Sequence, residues 1–157
     1  MTGELRIRFL EPGEETAACA LVERVWKACI EHEFTCEGAR EFFAYACPEA
    51  MRARSGPGQI VLAAEWRGNL AGMIETRGND HVSLLFVEQR GLGLARALFE
   101  RALELCRERR PDLRLVTVNA SLYAVPVYRR LGFEPTGEAR CVHGISFVPM
   151  LLDLASG

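Results

Sequence analysis

The chain has 157 residues, 49% of them hydrophobic and 25% charged, and its 19 basic and 21 acidic side chains give a formal net charge of −2. This length fits one domain with an ordinary buried core, so we expect a single domain over residues 1–157. The composition excludes an intrinsically disordered chain, and no apolar run approaches the roughly 18 residues of a membrane span. Because there is no net basic field to neutralise a phosphate backbone, we expect neither nucleic acid nor a membrane as a partner.

Hydrophobic periodicity predicts the elements of the first half of the chain. Alternating apolar residues predict a strand over residues 5–10, and a helical repeat predicts an amphipathic helix over residues 14–31. A second helix is predicted over residues 37–53, with a break or restart at Pro48. Three strands follow as an antiparallel meander, over residues 60–66, 70–76 and 82–87.

The second half alternates helices and strands. A long helix is predicted over residues 93–109, because Pro111 stops the helical repeat. A strand over 113–118 and a helix over 122–131 come next, and two strands close the chain, over residues 133–141 and 145–154. This order predicts an α+β fold with a mixed, mainly antiparallel sheet of about seven strands flanked by about four helices.

A glycine-rich turn joins the meander to the long helix. It reads Glu88-Gln89-Arg90-Gly91-Leu92-Gly93-Leu94-Ala95-Arg96. Gly91 and Gly93 permit a tight turn with exposed N–H groups at a helix N-terminus, where a pyrophosphate binds well. A plain turn is the alternative. The turn has no G-K-[ST], and Arg96 stands where a dinucleotide fingerprint has its third glycine, so neither nucleotide motif fits.

Two segments resemble one enzyme superfamily. Arg90-Gly91-Leu92-Gly93-Leu94-Ala95 is similar to the [QR]-x-x-G-x-[GA] pyrophosphate motif of the GNAT acetyltransferases, at the place where that fold carries it. Downstream, Val118-Asn119-Ala120-Ser121 and Tyr128-Arg129-Arg130-Leu131-Gly132-Phe133 resemble the end of the family's fifth strand and its Y-x-x-L-G-F ending. The resemblance implies the GNAT fold. Leu92 departs from the pattern, since a basic residue is common there.

The resemblance implies acetyl-CoA as co-substrate and no metal. It places the pyrophosphate on the backbone amides of the turn and the pantetheine arm along the end of the fourth strand, where a main-chain N–H would polarise the thioester carbonyl. Asn119 resembles a further pantetheine contact, and a turn or cap role is compatible with that. The implied cofactor-binding residues are Leu85, Phe86, Val87, Arg90, Gly91, Leu92, Gly93, Leu94, Ala95, Arg96 and Asn119.

Three residues are candidates for catalysis. Tyr128 resembles the family's tyrosine that meets the departing CoA sulfur, and packing is its alternative role. Full proton donation from a phenol of pKa about 10 to a thiolate whose thiol pKa is about 8.5 is uphill, so we expect a hydrogen bond that stabilises the developing thiolate. Glu75 and His81, on the central strands, are the candidate general bases for an amine. A structural histidine at a strand start is the alternative for His81.

The acceptor is expected to bind near the junction of the first two helices. Residues 33–37, with Phe42 and Tyr45, combine acidic and aromatic side chains that suit a cationic amine, and a solvated helix junction is the alternative. The function predicted is an N-acetyltransferase that moves an acetyl group directly to the amine of a small molecule or peptide. A non-catalytic acyl-CoA-binding or regulatory module is the rival, and an unrelated nucleotide-binding domain is a third interpretation. Exposed edge strands at the C-terminal hairpin make a homodimer a candidate.

The cysteines are candidates for metal binding or covalent chemistry. The N-terminal residues lack a basic segment followed by an apolar one, which predicts a cytoplasmic protein with free thiols. Cys29, His32 and Cys36 lie at helical spacing, and with Cys47 they would suit zinc. We favour core packing, because Cys29 shares a face with the apolar residues of its helix. A covalent acetyl-cysteine route through Cys36 and His32 is disfavoured beside direct transfer.

Overall fold

One eight-stranded sheet forms the centre of the computed structural model, which describes residues 4–156. The strands are β1 Leu5–Phe9, β2 Gln59–Trp66, β3 Asn69–Arg77, β4 His81–Val87, β5 Leu115–Ala120, β6 Glu134–Pro135, β7 Arg140–Val142 and β8 Ile145–Asp153. They lie in the order β1-β2-β3-β4-β5-β8-β6, and β7 pairs with the start of β8. The β4–β5 pair is parallel and the other described pairs are antiparallel.

Helices cover both faces of the sheet. They are α1 Glu15–Cys29, α2 Cys36–Tyr45, α3 Pro48–Ala53, α4 Leu94–Arg109 and α5 Val125–Arg130, with short 3₁₀ turns at Glu31–Glu33 and Leu154–Ser156. The first three helices pack on one face, where Leu21 and Val22 of α1 are fully buried against Met73 and Leu84. On the other face α4 buries Leu98, and the sheet therefore carries two apolar cores.

A bulge in β4 changes which face of the sheet its residues occupy, so Val82 and Leu84 lie in different cores. Glu75 of β3 pairs with Leu84, but the next residue, Thr76, pairs with Val82, so Ser83 is the extra residue. After the bulge, Leu84 and Phe86 face the α1–α3 core, whereas Leu85 and Val87 face the α4 core.

β4 and β5 separate soon after they meet. The register contains two residue pairs, His81 with Thr117 and Val82 with Val118, after which the strands diverge. On its other side β5 pairs with β8 along its whole length, from Leu115 to Ala120. The sheet is therefore split in its middle, at the C-terminal ends of its two parallel strands.

The sequence predicts most of these elements, and the α+β class with a mixed, mainly antiparallel sheet is confirmed. The break predicted at Pro48 is where α3 begins, since proline occupies a first-turn position without needing an N–H partner. The strand predicted over residues 133–141 is wrong in part: two short strands, β6 and β7, stand there, because Pro135 has no N–H to continue the ladder. Within residues 4–156, no helix is both long enough and apolar enough to cross a bilayer.

Candidate active site

A cavity of about 690 Å³ opens where β4 and β5 diverge. One part, which we call the split side, lies between the two strands and α5. The split side is lined by residues 85–88, Arg90, residues 118–121, Tyr123, Ala124, Val127 and Tyr128. The other part, the hairpin side, lies between the C-terminal end of α1, α2 and the β7–β8 hairpin. The hairpin side is lined by Arg24, Val25, residues 28–30, Phe34, Glu41, Phe42, Ser83, Leu84, Val142, His143 and residues 145–147.

The turn before α4 borders the split side. Gly91 and Gly93 have φ of +83° and +74°, the left-handed region that glycine adopts without strain. No side chain caps the N-terminus of this 16-residue helix, and its first turn contains no acidic residue. The first-turn N–H groups and the positive end of the helix dipole therefore remain available to an anion. A Cβ placed on either glycine would meet nothing within 4 Å, so the turn is open to a ligand.

The turn's other side chains are placed for packing and for the rim of the cavity. Leu92 packs against the α4 core, so the position where a basic residue is common in the family has a structural role here. The Arg90 guanidinium carbon lies 4.9 Å from the centre of the Tyr123 ring, a cation–π arrangement that holds this arginine on the lining. Of the predicted cofactor-binding residues, Leu85, Phe86, Val87, Arg90 and Asn119 line the cavity. Residues 91–96 are not on the lining; they follow Arg90 in the chain and form the turn and the first residues of α4.

Tyr128 lies on the split side with its ring packed in the core. It is 5% exposed, and its ring meets Phe133 edge to face at 5.4 Å. Burial raises the pKa of its phenol well above the ordinary value of 10, so the hydroxyl stays protonated through the neutral range. The packing role of Tyr128 is therefore present in the structure, and its donor role stays a prediction.

Glu75 lies behind the cavity lining and is fully buried. Its carboxylate accepts hydrogen bonds from Tyr45 Oη at 2.7 Å and from Arg54 Nε at 3.0 Å. Gln59 Nε2 and Ser83 Oγ, the latter at 2.8 Å, complete the set of donors. A carboxylate enclosed by four donors is a poor proton acceptor for an amine it does not touch. The predicted direct base role of Glu75 therefore does not fit this geometry, and Ser83 is its one contact on the lining.

His81 also lies off the lining, at the closed base of the split. Its Nδ1 is 2.8 Å from Thr117 Oγ1, which ties the starts of β4 and β5 together. Burial lowers the pKa of its imidazole, so the neutral ring is favoured. The structural interpretation of His81 fits this position, and the base role does not.

The β7–β8 hairpin is fastened to the N-terminus of α2. Its two-residue turn, His143-Gly144, has φ of +51° and +79° and presents the Gly144 carbonyl to the Thr35 N–H at 3.0 Å. The Thr35 hydroxyl accepts from the Gly38 N–H at 3.0 Å and so caps α2. A Cβ on Gly38 would lie 2.0 Å from the Gly144 oxygen. The start of α2 and the hairpin turn therefore approach each other so closely that only glycine fits. We call Thr35, Gly38 and Gly144 the clasp.

The helix junction that is predicted to bind the acceptor contributes only some of its predicted residues to the cavity. Glu33 accepts from the N–H groups of Leu122 at 2.8 Å and Tyr123 at 3.0 Å, and so holds the loop before α5. Tyr45 is turned to Glu75 and does not line the cavity, whereas Phe42 does. The carboxylate that faces the cavity from this region is Glu41.

Sequence reasoning missed two functional candidates on the hairpin side, Glu41 and His143. Glu41 is one of two exposed acidic residues of α2, with Glu37, and belongs to no motif. His143 had a usable signal, because a His-Gly pair between two strands predicts a turn with positive φ at both positions, which directs the hairpin tip. For the metal alternative, residues 4–156 bring no three His, Cys, Asp or Glu side chains into a metal-binding group.

Comparison with known proteins identifies the family. The model of the acetyltransferase (GNAT) domain matches residues 30–154. The chain belongs to the GNAT acetyltransferase family. A GCN5-related N-acetyltransferase from Rhodopseudomonas palustris is 21% identical with a TM-score of 0.81, and the match covers 97% of each chain. This GNAT chain matches no curated protein sequence.

Two further GNAT structures were solved with the coenzyme. The PaiA N-acetyltransferase from Thermoplasma acidophilum, in complex with coenzyme A, is 16% identical with a TM-score of 0.74, over 95% of this chain and 98% of that one. YncA from Salmonella typhimurium, with acetyl-CoA, is 20% identical with a TM-score of 0.66, over 97% of this chain and 95% of that one. At these identities the matches show the GNAT fold.

Proposed function

We propose that this GNAT protein transfers the acetyl group of acetyl-CoA to the primary amine of a small molecule or peptide. The observation that carries the proposal is a cavity at the split between β4 and β5 that is lined by the buried Tyr128 and by Arg90, which lies four residues before the uncapped start of α4. Coenzyme A in the PaiA structure and acetyl-CoA in the YncA structure support the choice of co-substrate.

The chain's residues suit the two ends of the co-substrate differently. The backbone N–H groups of residues 91–96 bind the pyrophosphate, and Arg90 adds its charge at the cavity rim. Unpaired backbone groups of residues 85–87, together with Asn119, bind the amide-containing pantetheine arm as an added strand would be bound. When bound, acetyl-CoA supplies an acetyl group already activated as a thioester.

Transfer needs one new bond and a place for two protons. The amine nitrogen bonds to the acetyl carbon as the carbon–sulfur bond breaks, and of the two protons that the ammonium loses, one ends on the sulfur and one in solvent. Tyr128 donates a hydrogen bond to the sulfur as negative charge develops there, which its raised pKa permits across the neutral range. A main-chain N–H of residues 85–87 polarises the carbonyl.

His143 replaces His81 and Glu75 as the proposed general base. Of the histidines at 32, 81 and 143, His143 alone is a lining residue of the cavity, and it is exposed, so a proton taken from the amine passes on to solvent. Histidine is the side chain that exchanges protons near neutral pH. Glu75 acts here as a positioning residue, because it fixes Ser83 on the lining and Tyr45 behind it.

Enzyme assay and calorimetry test the proposal together. Purified protein is titrated with acetyl-CoA, CoA, ATP and NAD, and thiol release is then followed with a panel of amines. We expect CoA-selective binding and amine-dependent thiol release. Binding without transfer to any amine would favour the non-catalytic module, and a preference for ATP or NAD would favour a nucleotide-binding domain.

Tyr128→Phe tests the donor role. We expect kcat to fall about 10- to 100-fold while the Kd for CoA stays within about twofold, since one transition-state hydrogen bond is lost. Tyr45→Phe is the matched control, because it removes a phenol hydroxyl that lies behind the lining. Unchanged turnover in Tyr128→Phe would leave Tyr128 with packing alone.

A further inference from the structure

The hairpin side of the cavity is walled by apolar side chains. Phe34 and Phe42 form an aromatic wall that continues to Phe86 of the split side, with ring centres 5.5 Å apart for Phe34 and Phe42 and 6.0 Å apart for Phe42 and Phe86. Trp26 and Phe43 lie behind this wall at 5.3 Å from Phe34 and 5.0 Å from Phe42, and so keep the rings in place.

The β7–β8 hairpin forms a second wall of the hairpin side. Its apolar residues on the lining are Val142, Ile145 and Phe147, beside His143 and Ser146. Val142 is 46% exposed. An occupant between the two walls removes apolar surface from water on both of its sides, at roughly 25 cal/mol per Å².

The charges on the lining are few and mostly paired. Its acidic residues are Glu41 and Glu88, and Glu88 is held by Arg24 at 2.9 and 3.2 Å. Glu41 makes no hydrogen bond or ion pair in the structure of residues 4–156, and it precedes Phe42 on α2, at the edge of the aromatic wall. The hairpin side thus presents one available carboxylate beside a large apolar surface.

Resting on the function proposed above, we propose that the acceptor is a monoamine with a compact apolar body, aromatic or branched aliphatic, whose ammonium binds Glu41. The rings of Phe34 and Phe42 pack against the body, and their π faces also suit the cation. A polyamine or an aminoglycoside carries several ammonium groups, and burying these beside one free carboxylate leaves the others without a partner. The cavity therefore selects against polycations.

An amine panel tests the substrate class. We expect kcat/KM for 2-phenylethylamine and isoamylamine to exceed that for spermidine and kanamycin by about 30-fold or more, as two to three kcal/mol of apolar burial would give. Higher kcat/KM for spermidine or kanamycin would overturn the inference and leave the N-acetyltransferase function standing. Binding of acetyl-CoA without acetylation of any amine would overturn both.

Glu41→Gln tests the ammonium contact, with Glu49→Gln as the matched control. Glu49 is an exposed carboxylate on α3 that does not line the cavity. We expect Glu41→Gln to raise KM for 2-phenylethylamine about tenfold, with KM for acetyl-CoA unchanged, because a charge-assisted hydrogen bond is lost. An unchanged amine KM in Glu41→Gln, or an equal rise in Glu49→Gln, would overturn the assignment.

Val142→Asp provides a gain-of-function test. It adds a second carboxylate to the lining of the hairpin side, at an exposed position of the β7–β8 hairpin. We expect the ratio of kcat/KM for putrescine to that for 2-phenylethylamine to rise about tenfold. A ratio that stays constant would contradict the placement of the acceptor between the two walls.

Discussion

The split side and the hairpin side of the cavity are built from different materials. The split side is made largely of backbone: the unpaired edges of β4 and β5 and the uncapped first turn of α4. The hairpin side is made of residues from α1, α2, β4 and the β7–β8 hairpin, which together span more than 100 residues of the chain, from Arg24 to Phe147. Under the function proposed above, we expect the backbone of the split side to bind the co-substrate and the side chains of the hairpin side to select the acceptor.

The largest effect is expected from the clasp, which holds the hairpin side together. In Gly144→Ala the new Cβ would lie 1.9 Å from Thr35 Oγ1, so the hairpin must move away from α2. We expect a loss of about 4 kcal/mol in the free energy of unfolding, which lowers Tm by roughly 8 to 16 °C in a chain of this size. Thermal unfolding of the free protein measures it.

Gly68→Ala is the control for the clasp. Gly68 also ends a two-residue hairpin turn, with a φ of +84°, but a Cβ there would meet nothing within 4 Å. Gly68→Ala therefore measures backbone strain alone, which we expect to lower the free energy of unfolding by about 1 to 2 kcal/mol. Equal losses in the two variants would show that the contact between the hairpin and α2 contributes nothing.

The next prediction compares two histidines: His143 is on the cavity lining, and His81 is not. His143→Gln is expected to lower kcat/KM about 100-fold at pH 7, or about 2.7 kcal/mol, through loss of general-base catalysis. His81→Gln is expected to stay within about threefold of wild type, because its ring does not reach the cavity. Steady-state kinetics with an accepted amine decide the comparison, and the opposite ranking would restore His81 as the base.

A charge placed at the start of α4 tests the split side. Ala95→Asp adds a carboxylate to a first turn that has none, which favours the helix but repels a pyrophosphate. We expect the Kd for CoA to rise about 10- to 30-fold while stability holds or increases slightly. Ala95→Asn has nearly the same shape without the charge and should change the Kd by about threefold or less. Equal calorimetric affinities for the two variants would remove the pyrophosphate from this helix.

The smallest effect is a pH dependence at the base of the split. The pKa of His81 is lowered by burial, so below about pH 6.5 the unfolded chain binds a proton that the folded chain does not. Stability is therefore full above pH 6.5 and falls as the pH drops from there toward the folded-state pKa, by at most about 1.4 kcal/mol per pH unit. Denaturation at pH 7.5, 6.5 and 5.5 should show a flatter dependence in His81→Gln. Parallel curves for the two proteins would contradict the prediction.

The sequence predicts the strands and the helix that form the split side, because the signals of these elements are local. Gly91 and Gly93 lie next to a long apolar-periodic helix, and the three-strand meander before them is delimited by turn residues. The end of β5 was predicted two residues early, because Asn119 and Ala120 gain their strand conformation from pairing with Pro149 and Val148 of β8.

The hairpin side is not encoded in any one segment. Phe42 is recognisable as part of an aromatic helix, but the contact of α2 with the β7–β8 hairpin depends on the clasp. The clasp in turn depends on the absence of side chains at Gly38 and Gly144, which periodicity does not detect. For Glu75 the sequence suggests a role that the structure does not support. A carboxylate on a central strand is a sound candidate for a base, and only the positions of Arg54, Gln59 and Tyr45 reveal that its acceptor sites are taken.

The two-pair contact between β4 and β5 also has a consequence for hydrogen exchange. The N–H groups of residues 84–87 that point away from β3 lie in the middle of a sheet yet have no neighbouring strand, so in the free protein they exchange like those of a sheet edge. A ligand that pairs with these N–H groups fills the space between β4 and β5, and so joins the β1–β4 half of the sheet to the β5–β8–β6 half. Slowed exchange would then extend into the core beneath both sheets, and the co-substrate would act as the missing strand of the fold.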